Sequence, residues 1–211
     1  TAENQTKGKG QRGAVWNSEV GKNLIMSVLV RDFLTDINAI FNLNIAFSLS
    51  VIAALKKKNI PDLSIKWPND ILSANKKIGG ILIENSIKSD AAILSIVGLG
   101  LNVNQTNFEG LPKASSLSIV IGQNLDKEEL LSEIMANLEK NVAESLQNPT
   151  NLRQQYVDLI YKKDIPMPFM NQNNKKFMGI IQGISPIGRL LVLLVDDSVV
   201  EFDIKEVQML Y

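Results

Sequence analysis

The chain has no cysteine and no histidine among its 211 residues. Without cysteine there is no disulfide, no thiolate metal site and no thiol nucleophile. That composition is compatible with a reducing compartment, and a cytoplasmic location is expected. Without histidine there is no Ser-His-Asp triad, no imidazole base and no histidine-held zinc. Any chemistry is left to Lys, Arg, Asp, Asn, backbone amides and Mg2+. Charge of one sign is not in excess either: 22 Lys and Arg face 22 Asp and Glu. Nonspecific nucleic-acid binding needs a broad positive surface, so this balance lends it no support. No signal peptide and no apolar run long enough to span a bilayer are read, and no membrane partner is expected.

What is present is enough apolar material for a real core. Hydrophobic residues make up 45% of the chain, which at this length implies one or two domains. Asn23 to Arg31 reads as a buried strand, and Ile45 to Lys58 as a core helix with lysines at its dipole-negative end. Leu63 to Trp67 reads as a strand. Ile71-Leu72 and Ile78 to Glu84 form a hairpin around the polar tip Ser73 to Lys77. Ala91 to Val103 reads as a further central strand. Asp126 opens a helix with Glu129 as its capping-box partner, and Leu130, Leu131, Ile134, Met135, Leu138 and Val142 as its apolar stripe. Pro149 breaks that pattern, and a second helix runs to about Tyr161. From Ile165 to Tyr211 the character changes to short alternating runs joined by tight turns, which predicts a small β-barrel. The boundary falls near Lys163.

Three segments carry chemistry. In GKGQRGAVW, Gly8, Gly10 and Gly13 let backbone N–H groups approach phosphate, and Lys9 and Arg12 supply charge. Trp16 offers a flat face for a base, or else is a core tryptophan beside a surface turn. In KWPND, Pro68 restricts Trp67 and sets Asn69 and Asp70 at a defined place, Asn69 for phosphate or hydrated Mg2+ and Asp70 for an ion or a proton. The same residues also make ordinary turn chemistry. Lys77 precedes Ile78-Gly79-Gly80, so its ammonium can enter a pocket, or else it is a solvated hairpin lysine, while Lys76, by alternation, points to the opposite face. In GLGLNVN, Gly98 and Gly100 share one face of a strand and leave a slot for a flat ligand, or for a packed helix. Asn102 continues that face.

Together these segments closely resemble the catalytic domain of the biotin protein ligases. The resemblance rests on Gln5-Thr6-x-Gly8-Lys9-Gly10-Gln11-Arg12-Gly13-x-x-Trp16, Lys66-Trp67-Pro68-Asn69-Asp70, Lys77-Ile78-Gly79-Gly80-Ile81-Leu82-x-Glu84 and Gly98-x-Gly100-x-Asn102. Ala114-Ser115-Ser116-Leu117 is similar to a later Thr-Ser-Leu segment of the family. The fold implied is α+β: a class II synthetase-like catalytic domain with a mixed central sheet and flanking helices over residues 1–163, and an SH3-like barrel over 164–211.

The activity implied is formation of biotinyl-5′-adenylate from biotin and ATP with Mg2+, then transfer to a lysine of a biotin carboxyl carrier protein. By the resemblance, Lys77 bridges the biotin carboxylate and the α-phosphate, and Asp70 orients or deprotonates the acceptor lysine. Gln5 and Lys9 line the biotin side, and Gly98 and Gly100 lie under biotin. Arg12, Trp16, Asn69 and Asn102 face the nucleotide, and Gly8, Gly10, Gln11 and Gly13 belong to the ligand-binding loop. No residue is assigned as a metal ligand.

The chain departs from the family at Lys9 and Gln11, where arginine is common, and at Ala14, where a polar or basic residue is frequent. The family's earlier Ser/Thr-Thr-Asn segment has no counterpart, so the catalytic domain is expected to lack its N-terminal portion. No helix-turn-helix is read. A lipoate ligase and a noncatalytic binding module are the alternatives, and a homodimer is left open.

Overall fold

A computed structural model describes all of the chain except residues 32, 34, 35, 37, 38, 88–92 and 211 and the side chain of Arg12. Near the N-terminus β1 (Gly8–Lys9) and β2 (Val15–Trp16) pair antiparallel around a 3-10 turn, Gln11–Gly13. The central sheet then takes β3 (Leu24–Val30), β4 (Leu63–Lys66), β5 (Asp70–Ser73), β6 (Lys76–Ile87) and β7 (Ile93–Leu101), in the spatial order β3-β7-β6-β5-β4. The strands from β4 to β7 form a meander. Every ladder in this sheet is antiparallel, so it is not the mixed sheet expected. Among the described residues, parallel pairing is confined to isolated bridges such as Lys77–Ala114 and Ile65–Ile160.

One face of the sheet is covered by helices. Ile40–Lys57 forms α1, beginning five residues before the expected Ile45 and ending with Lys56 and Lys57 in its last turn. It is buried nearly all round, because Leu43, Ile45, Phe47, Ile52 and Leu55 face both the sheet and a neighbouring helix. Each such side chain contributes roughly 1.5–3 kcal/mol on burial. Contrary to the sequence expectation, α1 is long and apolar enough to cross a membrane, but 72% of that span is buried inside the fold. A five-residue α2 (Leu117–Ile121), capped by Ser116, precedes the neighbouring helix α3 (Lys127–Gln147).

Asp126 caps α3 by accepting from the amides of Glu128 and Glu129. The Glu129 carboxylate lies 2.5 Å from Lys58 at the end of α1, so it serves the helix–helix contact. Leu130, Ile134 and Leu138 form the buried stripe. Pro149 does not merely interrupt: it occupies the first turn of α4 (Pro149–Asp158), where its missing N–H costs nothing. That helix ends before Tyr161.

The last segment forms β8 (Pro166–Asn171), β9 (Lys176–Ile184), β10 (Leu190–Leu193), β11 (Val199–Phe202) and β12 (Val207–Met209). Their order is β11-β10-β9-β8-β12, all antiparallel, with β11 and β12 at the edges. The ladders among the described residues therefore make an open sheet, where a closed barrel was expected. Its faces still curl. Phe202 of β11 stacks 5.6 Å from Phe177 of β9, and Phe177 stacks 5.5 Å from Phe169 of β8.

Candidate active site

The face of the central sheet turned away from the helices carries a cavity of about 550 Å3. Strand register alone builds its floor. Lys66 stands opposite Asp70, Asp70 opposite Gly80, Gly80 opposite Gly100, and Gly100 opposite Ile25. One residue from each of the five strands thus forms a transverse row, and all five line the cavity. A second row, Ser27, Gly98 and Leu82, runs beside it. Because Gly80, Gly98 and Gly100 lack side chains, the middle of the sheet is a trough.

Lys77 reaches this trough through a β-bulge. Ile71 pairs with Gly79 but Leu72 pairs with Lys77, so Ile78 is the extra residue on β6. Unbroken alternation would put Lys77 on the helix side with Gly79 and Ile81. The bulge shifts the phase by one and brings Lys77 beside Gly80 instead. A Cβ on Gly80 would stand 3.3 Å from Lys77 Nζ and 3.6 Å from Asp70 Oδ1. Lys77 Nζ lies 2.6 Å from Asp70 Oδ1 and 5.6 Å from the centre of the Trp16 ring. Lys76 points elsewhere, donating its ammonium to the carbonyl of Pro112.

The KWPND corner is held from three sides. Trp67 is buried and donates Nε1–H to Gly188 O at 2.9 Å. Its peptide bond to Pro68 is cis. Pro68 O accepts from Asn44 Nδ2 of α1 and from the Tyr156 hydroxyl of α4, both at 2.8 Å. Burial, with a smaller contribution from the Asp70 charge, pushes the Tyr156 phenol well above its ordinary range, while the Asn44 hydrogen bond opposes the shift. Tyr156 therefore remains a donor. Asn69 lines the cavity and is tied to β6, donating Nδ2–H to Ile81 O and accepting from Ile81 N at its own carbonyl at 3.1 Å.

In the glycine-rich loop, Gln5, Lys9, Gly10, Gln11 and Trp16 line the cavity. Gly8 and Gly13 do not, and each serves the backbone. A Cβ on Gly8 would overlap the Trp16 carbonyl, and Gly13 has φ +79°. The Gly10 amide is already engaged, donating to Ala14 O at 2.7 Å. The Arg12 side chain lies outside the described residues. Asn102 is not part of the cavity: it is buried and donates Nδ2–H to Ser115 O at 3.0 Å, fixing the segment that runs beside Lys77. Sequence reading also missed several lining residues. Lys66 is one of them: it belongs to the KWPND motif, whose pattern by itself signals no role for the lysine. The rim formed by Ile204, in the turn before β12, and by Val207, Gln208 and Met209 of β12 gives no local signal, since it arises only when two distant segments meet.

Four lysines (7, 9, 66 and 77) line the cavity against two carboxylates, Asp70 and Glu84. A glycine trough bordered by lysines suits a flat acid joined to a polyanion. A sequence model of the Biotin/lipoate A/B protein ligase family matches residues 1–102, which span the loop, the KWPND corner, Lys77 and both trough glycines. Over these residues the chain is similar to that family.

The bifunctional ligase/repressor BirA of Escherichia coli (strain K12) is 28% identical over 197 residues, covering 90% of this chain and 60% of that protein. The protein of the same name from Bacillus subtilis (strain 168) is 33% identical over 143 residues, covering 66% of this chain and 44% of that one. The chain thus spans about half the length of these curated relatives. Among solved structures, the biotin protein ligase from Aquifex aeolicus in complex with biotin and ATP superposes with a TM-score of 0.82 at 26% identity. That match covers 99% of this chain and 87% of that one.

Proposed function

We propose that this chain is an ATP-dependent biotin protein ligase. The biotin carboxylate attacks the α-phosphate of ATP, pyrophosphate leaves, and biotinyl-5′-adenylate results. A lysine amine of a biotin carboxyl carrier protein then attacks the acyl carbon, AMP leaves, and an amide forms. The observation that carries this reading is the five-strand row ending at Lys66 and Asp70, with Lys77 folded over its glycine trough.

In this reading the sheet rows at Gly98 and Gly100 take the flat acid, with Gln5 and Lys9 beside it. Lys77 stabilises the charge that develops between carboxylate and α-phosphate. Trp16, Asn69, Gln11 and the Arg12 position serve the nucleotide, and Asp70 orients or deprotonates the acceptor amine. Asn102 acts on Lys77 through Ser115 rather than on nucleotide. No group of three acidic side chains able to hold a metal ion occurs among the described residues. Mg2+ is read as arriving on the triphosphate, and no step is assigned to a protein-held ion.

Residues 1–163 form the catalytic unit and 164–211 an SH3-like module, a reading supported by the curl that stacks Phe202 on Phe177 across an intervening strand. The test is intact-mass spectrometry of a carrier domain incubated with the full-length gene product, biotin and Mg-ATP. Gain of one ATP-dependent biotinyl group is expected. Gain with lipoate and not with biotin moves the chain to the other activity that family includes. No gain with either leaves a noncatalytic module.

A further inference from the structure

Asp70 is bracketed by two ammonium groups, one on each carboxylate oxygen: Lys77 Nζ lies 2.6 Å from Oδ1, and Lys66 Nζ lies 3.7 Å from Oδ2. The Asp70 side chain is only 19% exposed. The arrangement follows from register, since Lys66 stands directly across from Asp70 and Lys77 enters over Gly80 on the other side. It also poses a problem for ligand binding. An ammonium held at 2.6 Å by a half-buried carboxylate is not fully available to an incoming anion. A carboxylate with one cation resists giving it up, because it would be left uncompensated away from water. A carboxylate with a second cation on its other oxygen can let the first go.

We propose that Lys66 is a positioning residue that takes over the Asp70 carboxylate when phosphate oxygens draw Lys77 away. Lys66 acts through Asp70, and its effect is to release Lys77 to the anion. This rests on the ligase reading only in taking that anion to be a nucleotide phosphate.

A double-mutant cycle tests it, with ATP as the probe and calorimetry as the readout, on wild type, Lys66→Met, Asp70→Asn and the double variant. Lys66→Met is expected to weaken ATP binding roughly tenfold, because Lys77 is then the one ion-pair partner of Asp70 among the described residues. In the Asp70→Asn background no carboxylate competes for Lys77, and the same substitution is expected to cost less than about twofold. Lys66→Arg, which keeps the charge, should bind ATP like wild type. Thermal unfolding checks each protein, and Lys66→Gln replaces any methionine variant that does not fold.

Equal losses in both backgrounds overturn the proposal, since Lys66 then meets the anion itself. No loss in either background overturns it, and so does a wild type that binds no ATP. Biotin-dependent pyrophosphate exchange is followed in parallel. The expected cycle without exchange sinks the ligase reading and leaves the role of Lys66 standing. Exchange with equal losses does the reverse.

Discussion

The indole of Trp16 lies over Gly100, so close that a Cβ on the glycine would stand 2.6 Å from its ring. Trp16 Nε1 is buried there and meets no hydrogen-bond partner among the described residues. The ring thus fills part of the trough that the two strand glycines create. Gly100→Ala should push the indole out and raise the floor. Overpacking of this kind costs about 1–3 kcal/mol. The expected result is a red-shifted tryptophan emission together with biotin binding weakened about tenfold or more by calorimetry. Unchanged emission and affinity would show that the indole and the ligand both avoid this row.

Lys77→Ala removes the ammonium that Asp70, Gly80 and Trp16 converge on. Its side chain is 35% exposed, so its loss should shift stability by no more than about 1 kcal/mol. Biotin-dependent pyrophosphate exchange should fall by roughly a factor of 100 to 1,000, the range for losing a preorganised charge at a developing anion. Lys76→Ala is the control. Its ammonium meets the Pro112 carbonyl on the exposed side of the hairpin, and exchange should stay within about twofold. Equal losses in the two variants would sink the assignment of Lys77.

Much of this site was readable in the chain because it depends on local pattern. Glycines two apart at 98 and 100 share a face in any strand, and Lys77 before Gly-Gly marked a lysine with open backbone beside it. The bulge at Ile78 was not readable, since it depends on how β5 and β6 register, and it decides which face Lys77 takes. Gly8 and Gly13 looked like ligand contacts, yet they serve a carbonyl approach and a positive φ. Asn102 looked like a continuation of the glycine face, but β7 ends at Leu101 and its amide turns to Ser115. The antiparallel order of the central sheet and the open ladder of the second sheet follow from long-range pairing. Alternation and turn residues do not encode that.

Gly188 links the second sheet to the KWPND corner. It has φ +86°, its carbonyl accepts from Trp67, and a Cβ would fall within the Phe41 ring. Arg153 clamps the same turn by donating to Ser185 O at 2.5 Å and Pro186 O at 2.8 Å. Gly188→Ala combines left-handed strain with overpacking and should destabilise by roughly 2–4 kcal/mol. Urea unfolding measures that cost. Exchange activity should fall further than the unfolded fraction explains, because the corner bearing Asp70 loses its backing. Activity that tracks the folded fraction alone would show that the turn does not aim the corner.

Tyr156 gives a pH signature. Its phenol is pushed far above the ordinary value of 10.0, chiefly by burial, and it donates to Pro68 O. The neutral form is therefore favoured in the folded state. Below about pH 10 both states are protonated and the contribution of Tyr156 to stability is fully present. Above that, the unfolded chain releases the proton while the folded chain keeps it, so stability falls by about 1.4 kcal/mol per pH unit. Tyr156→Phe cannot ionise. It should cost about 1 kcal/mol at neutral pH through the lost hydrogen bond, and then fall less steeply than wild type as pH rises past 10. Lysines titrating in the same range affect both proteins alike, so the difference between the two stability curves isolates the tyrosine. Parallel curves above pH 10 would mean that water reaches the phenol at the back of the KWPND corner.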